Sequence, residues 1–207
     1  EIIPKVVGVN LDQRPADSQP TKYISSCPEC GTELVRVEGE AKHYCPNETG
    51  CPTQIKGKMT HFISRKAMDI DGLGEETIEQ LFAGGLIHNY ADLYTLQEDD
   101  LLKLDRMAQK SVSNLLHGVE NSKQIPFERV LFALGIRYVG ETVSKKLAKH
   151  FKNMDAIVNA SLEEMISVDE IGEKIAESLY FFFQKEEHLE LINRLKSYGL
   201  QFEIVEE

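Results

Sequence analysis

The hydrophobic positions of this chain recur with a nearly constant period. Four short segments share one pattern, and their centres are Gly74, Ala108, Gly140 and Gly172. The centres are 34, 32 and 32 residues apart. In every segment an apolar residue stands one and four positions before the centre, and a leucine stands seven positions after it, at Leu81, Leu115, Leu147 and Leu179. A spacing of this size is typical of a repeated supersecondary unit.

Each repeat predicts a helical hairpin. After the first centre, for example, Ile78, Leu81 and Phe82 follow the spacing of one helical face. A helix is therefore expected to begin at or just after each centre, with a tight turn before it. Residues 123–127 separate the first two repeats from the last two. The predicted fold is mainly α, with tandem helix-hairpin-helix repeats in two pairs.

The turn of each hairpin is a candidate phosphate-binding device. The first backbone N–H groups of a helix have no partner inside the helix and lie at the positive end of its dipole. Glycine adopts left-handed backbone angles and lets a bulky anion approach closely. Main-chain groups contact the sugar-phosphate backbone and do not read bases, so such binding would be insensitive to sequence. The alternative is that the glycines only permit a tight connection between two helices.

The four turns are not equivalent in sequence. The first has both Gly72 and Gly74, the third and fourth keep only the second glycine of the pair, and the second has neither. We therefore expect the first turn to bind phosphate best and the second worst. The candidate DNA-contacting residues are Gly72, Gly74, Arg106, Ala108, Lys110, Arg137, Gly140, Gly172 and Lys174.

Two short patterns predict helix starts ahead of the second and fourth turns. Thr95 with Glu98, and Ser161 with Glu164, both have the spacing of a capping box. At the chain end, residues 200–205 alternate between apolar and polar and predict a short strand.

The four cysteines of the chain form the other strong pattern. They follow the spacing C-x2-C-x14-C-x5-C, at Cys27, Cys30, Cys45 and Cys51. This spacing predicts a closed four-cysteine zinc site, which leaves no position for water and is therefore structural. Two disulfides or an iron–sulfur cluster are the alternatives. His43 and His61 flank the site, and each is expected to be a surface or packing residue rather than a ligand.

Composition limits the partners of the chain. Its 207 residues carry a net charge of −11, so its mean field does not attract DNA, and weak binding is expected. Basic residues nevertheless cluster beside the proposed turns, within 52–68 and 137–152. The longest apolar run, 130–136, is too short to span a bilayer. Residues 1–9 predict a strand already under way, and a polar stretch, 13–22, follows as a linker.

These motifs together resemble the bacterial NAD-dependent DNA ligase family. The cysteine pattern is followed by HFISRKAMDIDGLG at 61–74, which is similar to the first hairpin of that family, and ALGIRYVGE at 133–141 is similar to its third. The run IPKVV at 3–7 resembles the last strand of its oligonucleotide-binding domain, and RPAD at 14–17 the start of the following linker. Where the family usually has glycine, the second hairpin has Ala108.

The resemblance implies a clamp-like enzyme that seals nicks in duplex DNA, and a chain that is a C-terminal fragment of it. NAD would donate AMP to a lysine in a Lys-x-Asp-Gly motif, with Mg²⁺ as a further cofactor, through domains that this chain does not include. The hairpins would hold the minor groove of nicked DNA, and the four cysteines would bind structural zinc. The chain has no Lys-x-Asp-Gly, so we expect no ligation, self-adenylation or NAD binding by it alone. The implied location is the bacterial cytoplasm, in association with the nucleoid.

The predicted domains are the end of the oligonucleotide-binding domain with its linker (1–22), the four-cysteine zinc finger (23–58) and the helix-hairpin-helix domain (59–207). Two other readings remain open. One is a helix-hairpin-helix DNA-binding subunit of another repair complex. The other is a protein-interaction domain whose hairpins serve packing only, which the acidic composition favours.

Overall fold

The computed structural model describes residues 2–205. Glu1, which opens the predicted N-terminal strand, and Glu206 and Glu207, which close the predicted domain 59–207, lie outside the described residues. The chain divides into two compact units, Glu1–Pro46 and Asn47–Glu207. The predicted boundary after residue 58 falls inside a continuous helix, Pro52–Ile63, whose Ile55 and Met59 share one hydrophobic core.

The predicted N-terminal strand is not formed. Residues 2–10 carry no regular structure, and their apolar side chains are exposed, Ile2 at 96% and Val7 at 92%. A strand gains its backbone hydrogen bonds from a neighbouring strand, and no described residue pairs with this segment. A 3-10 turn, Leu11–Gln13, follows it. Further along, β1 (Val35–Arg36) and β2 (His43–Tyr44) pair antiparallel, with Val35 opposite Tyr44.

The second unit is helical. In chain order its α-helices are α1 (Pro52–Ile63), α2 (Glu75–Ala83), α3 (Glu98–Leu101), α4 (Gln109–Ser122), α5 (Phe127–Ala133), α6 (Glu141–Phe151), α7 (Met154–Asn159), α8 (Leu162–Ile166), α9 (Glu173–Phe183) and α10 (Glu186–Ser197), with a 3-10 helix, Tyr90–Thr95, between α2 and α3. Helix α1 packs on α2, α3 on α4, α5 on α6 and α8 on α9. These four pairs are the four predicted hairpins. No helix within residues 2–205 has the length and apolarity needed to cross a bilayer.

One hydrophobic core joins the hairpins. The leucine seven positions after each centre is completely buried in all four repeats, as its spacing predicted: Leu81, Leu115, Leu147 and Leu179. Phe62 of α1 is also fully buried and stacks on Tyr90, with ring centroids 4.5 Å apart. The repeated apolar positions therefore form a shared interior rather than four separate ones.

One of the two predicted capping boxes is present. Ser161 accepts a hydrogen bond from the Glu164 N–H at 3.2 Å, and the Glu164 carboxylate accepts one from the Ser161 N–H at 2.7 Å. The prediction at Thr95 is wrong. Thr95 ends the 3-10 helix, and its hydroxyl donates to the Asp92 carbonyl. Helix α3 begins at Glu98 with Gln97 as its N-cap, so Thr95 lies two positions too early to cap it. A capping box lies instead at the start of that 3-10 helix, where Asn89 is the N-cap and Asp92 its partner.

The predicted C-terminal strand is reduced to a single bridge. Glu203 pairs with Asn153 in an isolated antiparallel bridge. The Met154 N–H donates to the Phe202 carbonyl, and the Ile204 N–H donates to the Lys152 carbonyl, both at 2.8 Å. The pairing stops there because its partner segment enters helix α7 at once.

Two glycines allow the first hairpin to pack against α4. Gly72 has a left-handed φ of +85°, and a Cβ on it would lie 3.1 Å from the Leu115 Cα. A Cβ on Gly118 would lie 2.6 Å from the Asp71 carbonyl oxygen. Both distances are shorter than ordinary van der Waals contact. The two backbone segments can therefore approach this closely only because Gly72 and Gly118 have no side chain.

The contact at Gly118 predicts opposite effects for one substitution at two helical glycines. Gly118→Ala should lower the free energy of unfolding by about 1–3 kcal/mol, because the added methyl collides with backbone. Gly57→Ala in α1, where a Cβ meets nothing within 4 Å, should raise it by about 1 kcal/mol through helix propensity. Urea unfolding of both variants tests this, and equal effects would contradict the proposed close approach.

Candidate metal centre and nucleic-acid interface

A tight turn brings the first two cysteines together. The Cys27 N–H donates to the Thr32 carbonyl, and the Gly31 N–H donates to the Cys27 carbonyl, both at 2.8 Å. Gly31 has a φ of +74°, which glycine adopts without strain. Cys30 lies within this turn, so its sulfur and that of Cys27 face the same space.

The remaining two cysteines complete a four-sulfur cluster. Cys45 directly follows β2, and Cys51 is the N-cap of α1, ahead of Pro52. All four sulfurs lie within 4.8 Å of one another. Four thiolates about 2.3 Å from one tetrahedral ion are about 3.8 Å apart, so this donor set fits zinc. The two-disulfide alternative is not formed: the Cys30 and Cys45 sulfurs are 3.5 Å apart, against about 2.05 Å in a disulfide.

Both flanking histidines make packing contacts. His43 stacks on Tyr23 with ring centroids 4.9 Å apart. The His61 Nε2 donates to the Phe132 carbonyl at 2.8 Å, and its ring meets the Phe132 ring edge-on. These contacts account for both histidines without a metal.

The four repeat centres share one structural role. Gly74, Ala108, Gly140 and Gly172 are the N-cap residues of α2, α4, α6 and α9. Each centre carbonyl accepts the first helical hydrogen bond, from the residue four positions on, at 2.9–3.0 Å. Glycine and alanine have no side-chain acceptor, so the first-turn N–H groups of these helices receive no N-cap side chain.

The other N-termini of this unit are of two kinds. Asn153 caps α7, Ser161 caps α8 and Asn89 caps the 3-10 helix, each with a side-chain oxygen that accepts from a backbone N–H. The starts of α1, α3, α5 and α10 receive no N-cap side chain. What distinguishes the four hairpin turns is therefore the glycine or alanine at the centre and not the missing cap alone.

The centre glycines are not required by packing. Gly74, Gly140 and Gly172 have φ values of −124°, −86° and −80°, which any residue adopts. A Cβ on any of them would meet no atom of the chain within 4 Å. The alternative that they merely permit a tight helix connection fits Gly72 and not these three. Ala108 holds the same extended conformation, with φ −86°.

The left-handed position of the hairpin lies two residues before each centre. Gly72 adopts it with φ +85°, and three non-glycine residues adopt it in the other turns with φ between +61° and +66°: Arg106, Tyr138 and Glu170. Sequence reasoning named Gly72 and Arg106 as candidates but missed the left-handed position that they share with Tyr138 and Glu170, because only the first turn carries glycine there. Applying the repeat period to the position two residues before each centre would have aligned these four residues.

Charged residues near the turns are mostly engaged with carboxylates. Arg106 lies 3.5 Å from Glu76, and both side chains are exposed. Lys146 contacts Asp169 and Glu170 of the fourth turn, each at 2.8 Å. These carboxylates hold the pKa of Lys146 above its usual value.

The remaining candidate cations have different surroundings. Lys110, on the first turn of α4, is exposed. Arg137 and Lys174 both lie over the Tyr138 ring, their charged groups 5.0 and 4.7 Å from its centroid. Lys66 was not a candidate, and it pairs with Glu141 at the start of α6 at 2.7 Å. That pair lowers the pKa of Glu141 through the Lys66 hydrogen bond.

A second electrostatic cluster is centred on Glu48, between the last two cysteines in sequence. Its carboxylate accepts from Lys58 of α1 at 2.8 Å and from Lys185, and lies 3.6 Å from the His188 Nε2 of α10. The His188 Nδ1 donates to the Phe182 carbonyl, and its ring stacks on Phe182. The His188 ring, then the two lysines, hold the pKa of Glu48 well below its usual range, although burial alone would raise it.

Comparison with known families agrees with both parts of the site. Residues 26–52 match the NAD-dependent DNA ligase C4 zinc finger domain, which contains all four cysteines. Residues 129–192 match the helix-hairpin-helix motif, which contains the third and fourth turns. The molecule is thus a zinc-finger and helix-hairpin-helix protein.

Individual relatives extend the match to the full chain. It is 65% identical over 206 residues to a DNA ligase of Flavobacterium johnsoniae and 62% identical over 207 residues to one of Flavobacterium psychrophilum. A DNA ligase of Halalkalibacterium halodurans is 52% identical over 97% of the chain. Along its whole length the chain is thus similar to part of the bacterial DNA ligases, and it spans 31%, 31% and 30% of the length of these three relatives.

The Glu48 cluster predicts a pH-dependent contribution to stability. Glu48→Gln should lower the free energy of unfolding near neutral pH by about 1–2 kcal/mol, because three cationic or polar groups lose a charged acceptor. A carboxyl whose pKa is lowered by folding stabilises the fold above its unfolded pKa and loses that contribution as pH falls through the folded value. The difference from wild type should therefore be full above pH 4.5, the ordinary value, and shrink below it.

Thermal unfolding across pH, with Glu79→Gln as control, measures this. Glu79 is 58% exposed and pairs with Lys56, so its loss should cost less than about 0.5 kcal/mol. A Glu48→Gln effect that is constant from pH 7 to pH 3 would contradict the charge-based account.

Proposed function

We propose that this chain is the DNA-holding portion of an NAD-dependent DNA ligase, which seals nicks by joining 5′-phosphate and 3′-hydroxyl ends. The observation that carries the proposal is the set of four equivalent helix N-termini, at three of which a Cβ on the centre glycine would meet no atom of the chain within 4 Å. Space for an outside partner lies where a Cβ would project. The match of residues 26–52 to the zinc finger of these ligases supports the same assignment.

The binding chemistry follows from the turns. Backbone N–H groups in the first turns of α2, α4, α6 and α9 would donate to phosphate oxygens, assisted by the helix dipoles. Two hairpins per pair would place these contacts along the backbone on either side of the minor groove. Because main-chain donors recognise phosphate and sugar, binding would not depend on base sequence.

The strength of each proposed contact would depend on which side chain, if any, lies at the turn. Gly74, Gly140 and Gly172 would leave room for close phosphate approach, whereas the methyl of Ala108 would occupy part of that space. Gly72 would act at the first turn through its left-handed backbone. Arg106, Lys110, Arg137 and Lys174 add local positive charge. Since the net charge is −11 and carboxylates lie within the fourth turn, the affinity of the chain alone would be weak.

Zinc bound to Cys27, Cys30, Cys45 and Cys51 would supply folding energy to the finger and no reaction step, since four thiolates fill a tetrahedral shell. The domain bounds we propose are 1–22, 23–58 and 59–207. NAD and Mg²⁺ would act through other domains of the same ligase, with which this portion would associate in the bacterial cytoplasm, at the nucleoid. The chain alone should form no covalent AMP adduct from NAD.

Fluorescence anisotropy of a nicked duplex, titrated with the chain across a salt series, tests the proposal. Each phosphate contact should contribute about −0.9 to the slope of log affinity against log salt, alike for unrelated sequences. Absence of binding at low salt would favour the reading in which the hairpins serve packing or protein interaction only.

Two aspartate variants test the ranking of the turns. Gly74→Asp and Ala108→Asp both introduce a good N-cap residue, so neither should destabilise its helix. Gly74→Asp should weaken nicked-duplex binding about tenfold, because it places an anion where a phosphate would sit and removes a charge-assisted contact. Ala108→Asp should weaken it less, and equal losses would refute the ranking.

Metal removal tests the zinc assignment. A chelator that strips the metal should unfold roughly residues 24–56, because ligand binding and folding are coupled in such sites. Limited proteolysis and circular dichroism, each with metal content measured in parallel, follow the change. A digestion pattern that stays the same after verified loss of metal would contradict a structural zinc.

A further inference from the structure

The third and fourth hairpins are joined by contacts between their turns. The Ser178 hydroxyl of α9 donates to the Arg137 carbonyl in the third turn at 2.6 Å. Lys174, on the first turn of α9, reaches the Tyr138 ring of the third turn, with its ammonium 4.7 Å from the ring centroid. The two turns therefore present one continuous surface.

Tyr138 occupies the centre of that surface. The Arg137 guanidinium also lies over its ring, 5.0 Å from the centroid, so one aromatic ring orients two cations from two hairpins. Its backbone is left-handed, with φ +66°, a conformation that costs a bulky residue about 1–2 kcal/mol. Tyr138 is nevertheless 39% exposed, so burial accounts for only part of its placement.

The equivalent positions show that the turn does not need an aromatic residue. The same left-handed backbone carries Gly72 in the first turn, Arg106 in the second and Glu170 in the fourth. The third turn thus keeps a strained, exposed ring at a place where glycine would fit without strain. An exposed aromatic ring with two cations close to it matches the backbone of duplex DNA, in which apolar sugars alternate with phosphates.

We propose that Tyr138 is a positioning residue for DNA, which rests against a deoxyribose of the minor-groove edge and holds Arg137 and Lys174 toward the adjacent phosphates. This inference rests on the proposed function, since it assigns one contact within the same interface. The ring acts through its face, and its hydroxyl is not required.

Three variants test the proposal in the nicked-duplex anisotropy assay. Tyr138→Leu keeps the apolar bulk and the backbone strain but loses the aromatic face. It should weaken binding about tenfold and reduce the salt slope by about 0.9–1.8, the equivalent of one or two phosphate contacts. Tyr138→Phe keeps the face and should stay within about twofold of wild type. Glu170→Leu puts the same side chain at the matched position of the fourth turn and should not weaken binding.

The outcomes separate this inference from the function it rests on. If wild type fails to bind, the proposed function itself is wrong. If wild type binds and Tyr138→Leu matches it in affinity and salt slope, only the role of Tyr138 is overturned. The role is also overturned if Tyr138→Leu weakens binding to single-stranded DNA but not to the nicked duplex, since that result indicates base stacking. Should Tyr138→Leu unfold, Tyr138→Gly, which relieves the backbone strain, is expected to fold and to show the same loss.

Discussion

A helical hairpin of this size cannot bury its apolar face alone, and the structure depends on the core that the four hairpins share. Helices as short as α3 and α8 are unstable in isolation, so their positions are set by the residues they bury. Leu115 and Leu147 come from different hairpin pairs and belong to the same fully buried cluster. The turns gain their fixed geometry from this interior, and rigid turns are what allow main-chain amides to act as a preformed anion site.

Glycine has two distinct uses in this fold. Gly72 and Gly118 are required by packing within the fold, because another backbone segment approaches each of them within van der Waals distance. At Gly74, Gly140 and Gly172 the chain imposes no such constraint. The contrast separates residues that shape the hairpin from residues that are open to the proposed phosphate contact.

The repeat pattern in the sequence was sufficient to predict the hairpins, the helix starts and the buried leucines, because each depends on local spacing. The cysteine spacing likewise predicted the clustering of four sulfurs. Features that depend on tertiary partners were not predictable. The strand predicted at 1–9 is not formed over the described residues 2–9, because residues that suit a strand cannot supply the neighbouring strand it needs. The box at Thr95 is not formed because Thr95 ends a 3-10 helix and α3 begins three residues later. Tyr138 was missed because nothing in the identity of a non-glycine residue indicates that its backbone is left-handed. Glu48 was missed because Lys185 and His188 lie far from it in the sequence.

The left-handed position before each centre has a wider consequence. One backbone shape carries no side chain in the first turn, a cation in the second, an aromatic ring in the third and a carboxylate in the fourth. A non-glycine residue costs only about 1–2 kcal/mol there, so in the last three turns the side chain at this position varies while the buried leucines stay the same. A repeated hairpin can in this way vary its contact with a uniform polymer one turn at a time.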